Sequence, residues 1–130
     1  MQYLIEAALA IREHAYVPYS KFKVGAAIRT HEGDVFAGCN VENAAYPQGT
    51  CAEAGAIAAM IGAGQRRIRE VVVVGAGHLP VTPCGGCRQK LREFAGPEVP
   101  IHMVNDRGEI VITRTLAALL PDSFGPDHLG

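Results

Sequence analysis

The chain reads as an α/β protein, a three-layer α/β/α sandwich with a mixed sheet of about five strands. Three observations lead there. Helical and strand-like segments follow the order helix, two strands, helix, strand, helix, two strands, helix. Val71 to Val74 is a run of four valines, the mark of a strand buried on both faces and so of helices on either side of the sheet. The 130 residues, 48% of them hydrophobic, suffice for one domain, residues 1–130, with its own core.

Residues 2 to about 14 form the first expected helix. Leu4, Ile5, Ala8 and Leu9 recur on one side at helical spacing, and Pro18-Tyr19-Ser20 breaks the pattern. Residues 23–30 and 35–40 are strands joined by His31-Glu32-Gly33-Asp34, which predicts a hairpin. Residues 43–49 are a loop holding Pro47. Residues 50 to about 63 form the second helix, with Thr50 as N-cap and Glu53 completing a capping box. Its side chains are small: Ala52, Ala54, Gly55, Ala56, Ala58 and Ala59. A glycine inside a helix costs up to about 1 kcal/mol, so Gly55 signals a close contact that offsets it. After the valine strand, Thr82-Pro83 marks a loop. Residues 84 to about 94 form the third helix, ended by Ala95-Gly96-Pro97. Residues 101–104 and 109–113 are strands around the turn Asn105-Asp106-Arg107-Gly108. Residues 115–120 form a short helix, and the tail 121–130 has no periodicity.

A formal net charge of −1 with no basic run argues against a protein that lives on phosphate contacts. A small, roughly neutral substrate is expected, with no nucleic acid. The apolar runs are too short to span a bilayer. The first residues lack a cationic stretch, and Glu6 interrupts the early apolar segment. The expectation is a cytoplasmic protein with no membrane partner, in a compartment where its four cysteines stay reduced.

The chemistry concentrates in Cys51-Ala52-Glu53 and Pro83-Cys84-Gly85-Gly86-Cys87. The strand 35–40, the helix 50–63 and the valine strand read as a βαβ unit with parallel strands. Two helices then start at the carboxyl ends of parallel strands, where such sheets bind ligands. Cys51 falls in the first turn of one, and Cys84 and Cys87 share a face in the first turn of the other. Three thiolates can hold one Zn²⁺ and leave its fourth tetrahedral position for water, the arrangement of a catalytic site. Glu53 places a carboxylate beside that water. A Cys pair of this kind with an upstream Cys/His-x-Glu is the signature of zinc nucleobase deaminases.

Plainer readings exist for each residue. A closed structural zinc needs a fourth ligand, for which Cys39 is the candidate, although such a cysteine is more often a buried small hydrophobe. A thioredoxin-like role for Cys84 and Cys87 leaves Cys51 and Glu53 unexplained. His14, His31, His78, His102 and His128 are scattered through turns and polar positions and read as surface residues. Asn40 and Glu42 read equally well as loop-capping residues, and Phe124 as a satellite core residue.

Longer motifs carry a resemblance over nearly the whole chain. They are Tyr16-Val17-Pro18-Tyr19-Ser20-Lys21-Phe22-Lys23-Val24-Gly25-Ala26-Ala27, Gly38-Cys39-Asn40-Val41-Glu42-Asn43-Ala44, Cys51-Ala52-Glu53, Pro83-Cys84-Gly85-Gly86-Cys87-Arg88-Gln89 and Leu120-Pro121-Asp122-Ser123-Phe124-Gly125-Pro126. The chain resembles the small, homotetrameric cytidine deaminases. The resemblance implies their fold, one zinc per subunit on Cys51, Cys84 and Cys87, and Glu53 as proton shuttle. It implies Asn40 and Glu42 on the ribose hydroxyls, Phe22 against base and sugar, and the Ala52 backbone on the pyrimidine edge. It places Phe124 in a neighbouring subunit's pocket and Tyr46 at a shared pocket wall, so a tetramer with shared sites is expected. The implied reaction is hydrolytic deamination of cytidine and 2′-deoxycytidine, in pyrimidine salvage. The rival within enzymes is another aminopyrimidine substrate such as blasticidin S; the rival from another class is a non-catalytic zinc module. One departure stands out. The family helix reads Cys-Ala-Glu-Arg, its arginine bonding the ligand sulfurs, whereas this chain has Ala54 followed by Gly55. Helix N–H groups, with Gln48 or Thr50, are expected to substitute in part.

Overall fold

The structure is a computed structural model and describes residues 1–76 and 79–130; the sequence reading of His78 falls outside them. The chain runs α1 (Gln2–Arg12), β1 (Gly25–Thr30), β2 (Val35–Cys39), α2 (Ala52–Gly62), β3 (Ile68–Val74), α3 (Gly85–Phe94), β4 (Pro100–Val104), β5 (Ile110–Thr115) and α4 (Leu116–Leu119). Short 3₁₀ turns cover Tyr46–Gln48 and Pro126–Leu129, the second lying in the tail read as aperiodic.

Alternation along the strands divides the core in two. Leu4, Ile5 and Ala8 of α1 pack on Ala27, Val72, Val74 and Val104. On the other face Ala56, Ile57 and Met60 of α2, Leu91 of α3 and Leu116 of α4 pack on Ile28, Val71, Val73, Ile101 and Met103. Successive valines of β3 therefore serve opposite layers, and all four are fully buried. The three-layer expectation holds.

The sheet order is β2-β1-β3-β4-β5. β1 pairs antiparallel with both β2 and β3, while β3 and β4 pair parallel. This corrects the simple βαβ unit. β2 and β3 do run the same way, but β1 lies between them, so α2 crosses over an intervening strand. The helix starts still meet at one end of the sheet, because Gly25 pairs with both Cys39 and Val74.

Three local expectations are also corrected. Helix α2 begins at Ala52 with Cys51 as its N-cap and no side-chain capping bond; Thr50 instead exchanges two backbone hydrogen bonds with Val41, so no capping box forms. The tight helix–sheet contact belongs to Gly38 rather than Gly55. A Cβ on Gly38 would lie 2.4 Å from Ala56 N, whereas one on Gly55 meets Gly38 Cα at an ordinary 3.5 Å. His102 is buried in β4 rather than on the surface. Its ring nitrogens bond Glu70 (2.9 Å) and Thr113 (2.8 Å) on the flanking strands, which satisfies both polar atoms and makes the burial tolerable.

Candidate active site

Cys51 and Cys84 occupy the same local position: each is the N-cap of its helix, in extended backbone conformation. From there a side chain projects off the helix end, beside the unpaired N–H groups of the first turn. Cys87 sits within the first turn of α3 and is fully buried. The three sulfurs lie within 4.8 Å of one another, with Cys51 and Cys84 4.0 Å apart. The cysteines separated by more than thirty residues in sequence therefore converge, as their spacing predicts. Cys39 is not part of this group, so the fourth ligand that a closed structural site needs is not supplied by it.

The electrostatics of the bare protein describe a site built for a cation. Burial raises the Cys51 and Cys87 thiols above their usual range, and neighbouring negative groups add to the shift at both. Cys84 moves the other way, chiefly because the Cys87 backbone N–H donates to it. That N–H belongs to the first turn of α3. Among the described residues no hydrogen bond joins Gln48 or Thr50 to a sulfur; the backbone amides of these two residues bond Ala45 and Val41. A trio of soft sulfur donors with this spacing suits a tetrahedral metal such as zinc.

Glu53 is buried in the first turn of α2, and burial raises its carboxyl pKa. With Val24, Asn40, Cys51, Ala52, Val81, Thr82 and Cys84 it lines a cleft of about 140 Å³. Asn40 and Ala52 are therefore brought to the cysteines. Thr82 reads from sequence only as loop punctuation and Val81 carries no reading, and nothing in their identity marks either as a cleft wall. Arg88, next to Cys87, braces this loop by donating to the carbonyls of Pro83 (2.7 Å) and Leu119 (2.8 Å).

Glu42 and Tyr46 lie in a second, more open cleft of about 400 Å³, with Tyr19, Ser20, Asn43 and Gly49. Glu42 accepts from the backbone N–H groups of Tyr19 and Ser20 and from the Ser20 hydroxyl. These bonds, the hydroxyl first, hold its carboxyl below the usual value. Asn40 accepts from Val24 N and donates to Phe22 O, both at 2.9 Å. The loop-anchoring reading of both residues is correct as far as the chain itself goes. Phe22 is exposed, its N–H held by Ser20 Oγ. Ser20 was missed as a hub; its place between Tyr19 and Phe22 gave no separate signal.

Phe124 lines neither cleft. It is exposed, stacks on His128 with ring centroids 5.1 Å apart, and is carried on a tail pinned to α3. Gln89 donates to the Phe124 carbonyl, and Arg92 bonds Ser123 and Asp127. The satellite-core reading of Phe124 is thereby corrected.

Comparison with known proteins agrees with this geometry. The family model for the cytidine and deoxycytidylate deaminase zinc-binding region matches residues 1–103. A cytidine deaminase of Sporosarcina psychrophila is 43% identical over 126 residues, covering 97% of this chain and 92% of the relative. One from Mycobacterium tuberculosis is 43% identical over 116 residues, covering 88% and 82%. The crystal structure of cytidine deaminase from Burkholderia pseudomallei superposes with a TM-score of 0.87 at 47% identity, covering 94% of this chain and 97% of that one. No helix among the described residues is long and apolar enough to cross a membrane.

Proposed function

The chain belongs to the cytidine deaminase family, and from that premise we propose that it hydrolyses the 4-amino group of cytidine and 2′-deoxycytidine, in the service of pyrimidine salvage. The observation that carries this is the convergence of three cysteine sulfurs beside one buried carboxylate, Glu53, at the starts of two helices.

Cys51, Cys84 and Cys87 would hold the zinc. When bound there, zinc supplies a Lewis acid that brings the pKa of water toward neutrality. Glu53 moves the protons. Burial raises its pKa, which suits a group that must both take and give a proton near neutral pH. It accepts a proton from the attacking water and delivers it to ring N3 as the water oxygen bonds to C4. A second transfer places a proton on the exocyclic nitrogen; the C4–N bond breaks, ammonia leaves, and uridine or 2′-deoxyuridine remains. The Ala52 backbone, beside Glu53 in the same cleft, holds the pyrimidine edge. Asn40 and Glu42 take the ribose hydroxyls, and Phe22 covers base and sugar.

Phe124 and Tyr46 belong, on this reading, to sites shared between subunits of a homotetramer, each subunit a single catalytic domain. The support is the surface: all four tyrosines, with Phe22 and Phe124, are exposed, an aromatic excess typical of interfaces rather than of free surface. The four free cysteines fit the reducing cytoplasm.

The test is ammonia release and loss of cytosine absorbance from cytidine with zinc-loaded protein. Glu53→Gln keeps its zinc and loses about 10²–10⁴-fold in turnover. A zinc-loaded Glu53→Gln protein with parental turnover refutes the assignment of Glu53, and a zinc-loaded parent inert toward both nucleosides refutes the substrate.

A further inference from the structure

Cys51 and Cys84 are both N-caps without a side-chain capping bond, so each relies on its backbone to aim its sulfur. A residue turns on two soft dihedrals between two planar peptide groups. Holding the peptide on each side therefore fixes where its side chain leaves the chain.

Cys51 is held in this way by backbone alone. In the peptide before it the Thr50 carbonyl accepts from Val41 N at 2.9 Å, and in the peptide after it the Cys51 carbonyl accepts from Gly55 N at 3.2 Å. Cys84 has the second of these bonds in the same form, its carbonyl accepting from Arg88 N at 2.9 Å. The first is made by a side chain instead: Arg88 Nε donates to the Pro83 carbonyl at 2.7 Å. One residue thus grips both peptides that flank Cys84. Gly85 and Gly86 come next, so the first turn of α3 brings no side chain of its own before Cys87.

The grip has a fixed base. Arg88 Nη1 donates to the Leu119 carbonyl at 2.8 Å, at the end of α4 where helix carbonyls lack partners. That helix is seated by Leu116, which is buried and donates its N–H to Val99 O. None of the ion pairs among the described residues involves Arg88, so its side chain is spent on two neutral carbonyls. A planar guanidinium, with its donors in a rigid fork, is the group suited to hold two acceptors at set positions.

We infer that Arg88 is the positioning residue of Cys84, setting the aim of that sulfur toward the metal without bonding sulfur or metal itself. The inference rests on Cys51, Cys84 and Cys87 holding zinc. Its test reads metal binding without turnover. A zinc-loaded parent inert toward nucleosides therefore leaves it standing, and its own failure leaves deamination untouched.

Zinc affinity is measured by competition with a chromophoric chelator. Arg88→Met keeps the length and removes the donors. It weakens zinc binding about 10–100-fold, the usual cost of losing a residue that orients a metal ligand. Arg88→Lys keeps the charge but not the fork, and loses affinity to a smaller extent; it carries the test if Arg88→Met does not fold. Arg92→Met is the matched control. Arg92 lies one turn further along α3 and fastens the C-terminal segment through Ser123 and Asp127, but bonds neither peptide of Cys84, so this variant retains parental affinity. With Co²⁺ in place of zinc, the visible absorption that reports a tetrahedral sulfur set changes in both Arg88 variants and not in Arg92→Met. Parental zinc affinity in either Arg88 variant overturns the inference. So does an equal loss in Arg92→Met, which assigns the effect to the C-terminal segment, and so does a parental Co²⁺ spectrum in both Arg88 variants.

Discussion

Gly38 is the point where a single methyl group should reach the chemistry. It lies in β2 beneath α2, and a Cβ there would sit 2.4 Å from Ala56 N, 2.5 Å from Ala52 O and 2.7 Å from Gly55 C. All three are helix backbone and cannot rotate aside. Ordinary contact begins at 3.4 Å, so Gly38→Ala must drive α2 back by about 1 Å, the difference between 3.4 and 2.4. Overpacking on this scale costs about 1–3 kcal/mol. α2 carries Cys51 at its N-cap and Glu53 in its first turn, while Cys84 and Cys87 ride on α3. The retreat therefore separates one sulfur and the carboxylate from the other two sulfurs. A misplacement of about 1 Å costs on the order of 10²-fold in rate. Gly55→Ala is the matched control: its Cβ meets only an ordinary 3.5 Å contact, and the helix gains about 0.8–1.0 kcal/mol in propensity. Urea unfolding and kcat on cytidine, measured with zinc present, separate the two variants. Gly38→Ala loses stability and turnover together, whereas Gly55→Ala keeps turnover and is at least as stable as the parent. A Gly38→Ala protein with parental unfolding midpoint and kcat refutes the close-packing argument.

Two further outcomes follow from the site. Zinc bound to the three sulfurs, held within 4.8 Å only in the folded chain, stabilises it by about 2.7 kcal/mol when free zinc is about 100 times Kd; an unfolding midpoint indifferent to zinc and to chelator rejects the cluster as a metal site. The Glu42 carboxyl is held below its ordinary value of 4.5, the Ser20 hydroxyl being the largest cause. Between the folded and unfolded pKa values the unfolded chain binds more protons, so this contribution is complete above about 4.5 and fades as pH falls through the folded value. Ser20→Ala raises the carboxyl titration midpoint toward 4.5, read by carbon NMR of Glu42; an unmoved midpoint shows that the backbone amides alone set it.

The elements were legible wherever a pattern was local. Val71 to Val74 announced β3, and the turn at residues 105–108 announced the hairpin of β4 and β5. Strand order was not legible from the crossover rule, because that rule assigns direction without saying what lies between. One signal was available: Gly25, Ala26, Ala27 and Ile28 form an unbroken small or apolar run, all buried, which marks an interior strand rather than a hairpin edge. His102 misled because its partners, Glu70 and Thr113, come from two other strands, and a lone polar residue between Ile101 and Met103 carries no sign of them. Thr50 misled because the backbone pairing with Val41 outweighed a side-chain cap. The metal site was the most legible feature, since Cys51 and Cys84 are the N-caps of two helices and Cys87 lies within the first turn of the second.

The residues proposed to read the sugar, Asn40 and Glu42, each also line one of the two clefts, and simple valence shows that both tasks fit. A carboxylate offers about four lone-pair positions. Glu42 fills three of them with Tyr19 N, Ser20 N and the Ser20 hydroxyl, which leaves one for a ribose hydroxyl. An amide side chain offers two acceptor positions and two donors. Asn40 uses one acceptor on Val24 N and one donor on Phe22 O, which leaves one of each. The segment from Tyr19 to Val24 is therefore fastened within the chain itself, although Phe22 lines neither cleft. On the proposed reading, recognition would draw only on unused valence, so sugar contacts would add affinity at a site already shaped.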